Sequence, residues 1–167
     1  MNGLYTFLFL GLLAVSAKTK DLITLEGKLF IQGPPHHSEI SLKTHDKQKI
    51  PICNTEKSDQ LRRLSGFIIS IIGVLDPLQE DCLLMEKTHI LRFPYGAPAI
   101  VGRFLNTSLK QSIFQDTQGQ EYKFSRIPFS LINEEDLVIL TIVPDDPLQP
   151  QNGNWKIVTY SEYPLTD

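Results

Sequence analysis

The sequence has few of the residues on which catalytic and metal sites depend. It contains two cysteines and four histidines, and it has no C-x-x-C, H-E-x-x-H, G-x-S-x-G or phosphate-binding glycine loop. His36 and His37 are neighbours in a predicted loop, where adjacent side chains of an extended chain point in different directions. We therefore predict no metal site and no cofactor, and we keep these two histidines only as candidate ligand contacts.

Positive charge is not in excess either. The chain has 16 Lys and Arg against 19 Asp and Glu, a formal net charge of −3. General nucleic-acid binding needs clustered basic side chains against phosphate, so no nucleic-acid partner is expected. The charge is uneven, however: residues 18–93 carry 11 basic and 10 acidic side chains, whereas residues 94–167 carry 5 and 9. The two halves would therefore present different surfaces to a partner.

The N-terminus has no charged side chain before Lys18. Residues 4–15 are uncharged and largely apolar, and Val15-Ser16-Ala17 supplies a small-x-Ala cleavage pattern. This predicts a secretory signal peptide over residues 1–17 and an exported protein, either periplasmic or secreted. As a helix the apolar run would be about 18 Å long, too short for a bilayer core of about 30 Å, so no permanent membrane span is expected. The alternative is a buried N-terminal strand or helix.

The two cysteines, Cys53 and Cys82, form an even pair. In an oxidising compartment such a pair favours one disulfide, which would stabilise the fold by about 3 kcal/mol. Two buried free thiols are the alternative.

The pattern after the leader is one of short strands and turns. Apolar runs rich in Val, Ile, Phe and Tyr are separated by Gly, Pro, Asn and Asp, which is typical of an all-β protein. Ser58 is predicted to cap a short helix over residues 59–64, and a second turn is predicted at 129–135. The predicted strands are 22–31, 39–45, 48–53, 66–75, 82–91, 99–106, 111–116, 120–125, 137–143 and 155–162.

The same order of elements occurs twice. Three strands, a short helix and two strands span residues 18–93 and again 99–167, with a Pro-rich connector at 94–98. The sequence Asp-Pro-Leu-Gln follows the fourth strand in each half, at Asp76 and at Asp146. We predict an internal duplication into two β-domains; the alternative is one continuous β-sandwich with two similar turns.

Five strands with a helix between the third and fourth resemble the OB-fold, a small Greek-key barrel. The resemblance also includes a glycine in the first strand and the passage LRRLSGFIISIIGVL from helix to strand four. It implies two tandem five-stranded OB-like barrels whose ligands bind on strands two and three. The flanking loops would be 32–39 with 76–81, and 106–110 with 145–154. An immunoglobulin-like sandwich is the rival architecture, although Trp155 follows both cysteines, which is the wrong order for that core.

Candidate ligand residues come mainly from the hairpin of the first half, where Lys43, Lys47 and Lys49 make the chain locally basic. Tyr122 is a further candidate, although its alternation with Phe114 and Phe124 also fits core packing. We expect an exported, non-enzymatic binding or protein-interaction module with an unidentified protein or glycan partner. The alternatives are a secreted hydrolase using acidic side chains at 134–136 or 145–146, and a structural subunit of an envelope or surface assembly.

Overall fold

The structure is a computed structural model and describes residues 21–34, 38–76, 82–107, 111–131, 136–148 and 153–165. The predicted signal peptide, His36 and His37 lie outside the described residues. Among the described residues, no helix has the length and apolar character needed to cross a membrane.

The described chain is mostly β-structure, as the sequence predicts. A single short helix is labelled α1, Glu56–Gln60, and it continues into a 3₁₀ turn at Leu61–Leu64; a second 3₁₀ turn covers Phe129–Leu131. The first five strands are β1 Ile23–Gln32, β2 Glu39–Thr44, β3 Lys49–Pro51, β4 Ile68–Asp76 and β5 Cys82–Arg92. The other five are β6 Ile100–Asn106, β7 Ser112–Asp116, β8 Glu121–Phe124, β9 Val138–Pro144 and β10 Asn154–Glu162.

These strands form two sheets with the same topology. The first has the order β3-β2-β1-β4-β5, and the second is a closed barrel with the order β10-β8-β7-β6-β9. Parallel pairing of β8 with β10 closes the second barrel. In the first sheet, one parallel bridge joins Ile52 to Leu83 at the corresponding place. This arrangement confirms the all-β, OB-like fold.

The helix begins three residues earlier than the sequence analysis placed it. Thr55, not Ser58, is the N-cap residue. The amide of Ser58 donates to Thr55 Oγ1 at 3.2 Å, and the amide of Thr55 donates to Ser58 Oγ at 2.8 Å. This is a capping box in which Ser58 takes the N3 position. The prediction that Ser58 caps the helix was wrong because the two hydroxyl residues have the same capping chemistry and only the structure fixes their order.

Backbone pairing between the two edges of the first sheet is limited, among the described residues, to that single bridge; for brevity, the unit that this sheet forms is called the first barrel and the closed unit the second barrel. Each unit has its own apolar core, and the two cores adjoin. Leu29, Leu42 and Ile69 are fully buried in the first, and Phe114 and Phe124 in the second. Ile139 of β9 packs into the first core although its neighbours Val138 and Leu140 belong to the second. Since successive strand residues point to opposite faces, β9 contributes its inner face to one barrel and its outer face to the contact with the other.

The barrels also repeat local features. Gly27 in β1 and Gly102 in β6 occupy matching positions, and a Cβ there would lie 2.4 Å from Lys43 O and 2.1 Å from Gln115 O. Both positions therefore require glycine. The hairpins Thr44 to Gln48 and Asp116 to Gln120 have the same backbone hydrogen bonds. The two units therefore share these local features, while the duplication itself stays a prediction. Of the two Asp-Pro-Leu-Gln copies, residues 77–79 and Gln149 lie outside the described residues.

Candidate ligand-binding face

Three lysines form a row across the outer side of the first sheet. Lys28 on β1 is paired with Lys43 on β2, and Lys43 is paired with Lys49 on β3. Directly paired residues of antiparallel strands project from the same face, about 5 Å apart, and all three side chains are exposed. Like charges placed directly opposite each other destabilise a sheet. The row is thus a concentration of positive charge that folding alone does not favour.

An exposed aromatic ring lies in the next row. Phe30 on β1 is paired with Ser41 on β2, and Ser41 with Pro51 on β3. Phe30 is 40% exposed. Lys28 Nζ and Lys43 Nζ lie 5.9 and 5.8 Å from its ring centroid, within cation–π range. The outer side of β1, β2 and β3 therefore combines an apolar platform with cations beside it; this surface, made of Lys28, Phe30, Ser41, Lys43 and Lys49, is called the basic face.

A groove borders the basic face at the junction of β2, β3 and α1. Its volume is about 530 Å³, within the range of small-molecule sites. The residues that line it are mostly polar: Ser38, Glu39, Ile40, Ser41, Lys49, Pro51, Ile52, Asn54, Ser58 and Arg62.

Two cations at the groove are held in place by polar contacts. Arg62 Nε donates to Asp59 Oδ1 at 2.9 Å, and Arg62 also donates to the carbonyl oxygen of Ser38 at 3.2 Å. Lys49 Nζ donates to Gln32 Oε1 at 3.2 Å. Since Lys49 is on β3 and Gln32 on β1, this bond passes across β2. The contacts orient both cations, and Arg62 is ion-paired with Asp59, whereas the contact of Lys49 is with a neutral amide.

Ser41 is the unusual member of the groove lining. It is 2% exposed, and its hydroxyl oxygen has no hydrogen-bond partner among the residues that the structure describes. Buried hydroxyls are nearly always hydrogen-bonded because leaving one unpaired costs about 1–3 kcal/mol. Ser41 therefore holds an unused donor and acceptor in the wall of the groove, which a ligand can pair with only after a small shift of the side chains that cover it.

The predicted ligand residues separate into two groups. Lys43 and Lys49 lie on the basic face, and Lys47 lies beside them at the hairpin tip, with a positive φ of 66°. Tyr122 is in the second barrel instead, paired with Phe114 on the inner face and 5.6 Å from the Trp155 ring. The structure does not bring Tyr122 to the surface that the lysines form.

The surroundings of Tyr122 favour a structural role for its side chain. Burial raises the pKa of its phenol above the ordinary value, and the carboxylate of Asp116 raises it further. The phenol donates to Asp116 Oδ2 at 3.2 Å. Both effects favour the neutral phenol, as expected for a side chain at the edge of a core.

The acidic candidates are not assembled around a histidine. His45 and Asp46 lie in the first hairpin, whereas Asp145 and Asp146 lie after β9, and Glu134 and Glu135 are outside the described residues. Thr44 donates a side-chain hydrogen bond to Asp46, which lowers the pKa of that carboxyl. Within the described ranges, no group of three or more His, Cys, Asp or Glu side chains is placed to hold a metal.

Sequence reasoning missed Lys28, Phe30 and Ser41, whereas Arg62 was noted from the sequence as a basic residue near the hairpin lysines. The alternation of exposed and buried residues along β1 is visible in the sequence and would have put Lys28 and Phe30 on one face. Their position beside Lys43 depends on the register of β1 with β2, and the groove depends on how α1 packs.

The second barrel lacks the lysine row. At the matching positions Arg103 on β6 is paired with Gln115 on β7, and Gln115 with Glu121 on β8. The formal charge of this row is zero, against +3 for the first barrel. The strand pairing next to this row also differs from that of the first sheet. The register of β6 with β7 shifts between Phe104 and Asn106, whereas the register of β1 with β2 is continuous.

Comparison with known proteins gives little further information. No protein-family model matches the chain, and no curated protein sequence matches it. A solved structure named drosophila Unr CSD456 is similar at 11% sequence identity with a TM-score of 0.31. The match covers 85% of this chain and spans 62% of that one.

Proposed function

We propose that this chain is an exported, non-catalytic binding module whose first barrel binds an anionic partner on the basic face. The lysine row beside Phe30 is the observation that carries the proposal. Three paired lysines repel one another, which reduces the stability of the sheet, and the cation–π contacts of Lys28 and Lys43 with Phe30 offset only part of that repulsion. Residues that oppose the stability of their own element are expected at functional sites.

The second barrel supports this assignment by contrast. It has the same strand order, yet its matching row is Arg103, Gln115 and Glu121. The lysine row is therefore not a requirement of the fold. Export is supported by the Cys53–Cys82 disulfide, because disulfides persist mainly in oxidising compartments.

The test is salt-dependent binding to anionic polymers. Poly-glutamate, a sulfated polysaccharide and single-stranded oligothymidylate would each be titrated into the protein with its disulfide formed. We expect at least one to bind, with affinity falling steeply between about 50 and 200 mM salt, because the release of counterions that accompanies binding becomes less favourable as salt is added. Failure of all three to bind at low salt would overturn the proposal.

The specificity of the basic face is tested with two variants of equal charge. K43Q/K49E gives the first barrel the Gln–Glu pair of the second and changes the net charge by −3. R103Q/K123E changes the net charge by the same amount on exposed positions of the second barrel. We expect the first variant to lose most of the binding and the second to retain it. Equal losses would mean that only overall charge matters.

A further inference from the structure

The groove beside the basic face has the composition of a carbohydrate subsite. Ser38, Ser41 and Asn54 supply hydroxyl and amide groups, and Glu39 supplies a carboxylate acceptor. Such groups pair with the many hydroxyls of a sugar, each of which is both donor and acceptor. The groove volume of about 530 Å³ is sufficient for one sugar ring.

Ser41 is the second observation that points to a ligand. Its oxygen is buried, lines the groove and lacks a hydrogen-bond partner among the described residues. Within the first sheet, Ser41 on β2 is paired directly with Phe30 on β1. An unpaired hydroxyl next to an exposed ring suits a sugar, which presents polar edges and an apolar C–H face.

The cations indicate that the sugar is acidic. Lys49 lines the groove and contacts a neutral amide, whereas Arg62 is ion-paired with Asp59. The carboxylate of Glu39 also lines the groove. The excess positive charge therefore comes from Lys49 together with the other two lysines of the basic face. Carboxylate and sulfate groups form strong charge-assisted hydrogen bonds with such side chains. A neutral sugar would leave most of these charges unused.

Single-stranded nucleic acid fits less well. Such ligands stack successive bases on several aromatic side chains, and Phe30 is the one exposed aromatic residue on this face among the residues described. The disulfide also favours an exported protein, for which polysaccharides are the more accessible polymers.

We infer, resting on the proposed anion-binding function, that the partner is an acidic oligosaccharide and that one of its units occupies the groove lined by Ser41, Asn54 and Arg62. The probes are an oligosaccharide of hyaluronan, a heparin fragment of matched length, a neutral oligosaccharide of glucose and single-stranded oligothymidylate. Calorimetric titration of the whole protein would give the affinities. We expect an acidic oligosaccharide to bind about tenfold or more tightly than the neutral one.

The groove is tested with S41A/N54A. This variant should weaken binding of the acidic oligosaccharide by about fivefold or more through lost hydrogen bonds. Its melting temperature should not fall, because the Ser41 hydroxyl has no partner to lose. S65A, at an exposed serine outside the groove, is the matched control and should bind as the wild type does.

The possible results distinguish a failure of the carbohydrate inference from a failure of the proposed anion-binding function. Binding of oligothymidylate without either acidic oligosaccharide would overturn the carbohydrate inference and leave the anion-binding function standing. Unchanged affinity in S41A/N54A, with loss in K43Q/K49E, would overturn the groove assignment alone. Equal affinity for neutral and acidic oligosaccharides would overturn the role given to the cations. Absence of binding to every probe would overturn both proposals.

Discussion

Cys53 and Cys82 form a disulfide directly beside the parallel bridge between Ile52 and Leu83. The amide of Cys53 also donates to the carbonyl oxygen of Leu83 at 3.0 Å. In the second barrel the matching strands, β8 and β10, are joined by two parallel residue pairs. The first barrel therefore uses a covalent bond next to the site where the second relies on backbone pairing and on the packing of Trp155.

Removal of the disulfide should loosen the first barrel more than the second. The bond closes a loop with a sequence separation of 29, so C53A/C82A should lower the free energy of unfolding by about 3–4 kcal/mol. Hydrogen exchange should show faster exchange in β3 and β5, with smaller changes in β8 and β10. Trp155 is the only tryptophan, and its fluorescence reports the second barrel.

The wild-type protein treated with reductant is the control for this experiment, and it should reproduce the exchange pattern of the double variant. If β8 and β10 lose protection to the same extent as β3 and β5, the disulfide does not act locally on the closure of the first barrel.

Lys47 and Gly119 provide a second matched pair. They occupy the same place in the two hairpins, with φ values of 66° and 86°, a region that favours glycine. K47G should raise the free energy of unfolding by about 0.5–1 kcal/mol, after allowance for the greater entropy of the unfolded chain. G119K should lower it by about 1–2 kcal/mol. Urea unfolding measures both, and a loss of stability in K47G would contradict the account.

Removing a charge from the lysine row should raise the stability of the fold and lower the affinity for the anionic partner. K43Q relieves the repulsion from both neighbouring lysines, about 0.2–1 kcal/mol, but removes the cation–π contact of Lys43 with Phe30. Because Lys28 still lies 5.9 Å from the same ring, we expect a net rise in the free energy of unfolding of up to about 0.5 kcal/mol. The gain should shrink as salt is added, while affinity for the anionic partner falls. Q115K places a lysine between Arg103 and Glu121, where attraction and repulsion offset, so it is the control and should change stability little.

The sequence predicted the strands and the disulfide well because both follow from local or compartmental rules. Alternating runs bounded by Gly and Pro locate strands, and an even cysteine pair in an exported chain favours a bridge. All ten predicted strands are present. The strand predicted at 48–53 ends at Pro51 because the chain leaves the sheet there toward Cys53.

The candidate site was only partly predictable because it depends on contacts between distant segments. Lys43 and Lys49 belong to one hairpin, and their clustering is visible in the sequence. Lys28 joins them only through the register of β1 with β2. Tyr122 has the same strand alternation as its neighbours, but its inward direction follows from pairing with Phe114, which no local pattern specifies.

Tyr122 gives a prediction on pH. Its pKa in the folded protein is raised above the ordinary value of 10.0 by burial first and by Asp116 next. A raised folded pKa stabilises the fold below the pKa of the unfolded chain, and this contribution is lost as the pH rises through the folded value. The urea midpoint should therefore decline as the pH rises above about 9.

Y122F removes the ionising group, so the decline attributable to Tyr122 should disappear, although the loss of the hydrogen bond to Asp116 lowers stability at neutral pH. Y95F is the matched control, because Tyr95 is 64% exposed, and it should retain the wild-type decline. An unchanged alkaline decline in Y122F would show that other groups cause it and that the phenol is not held neutral by the edge of the second core.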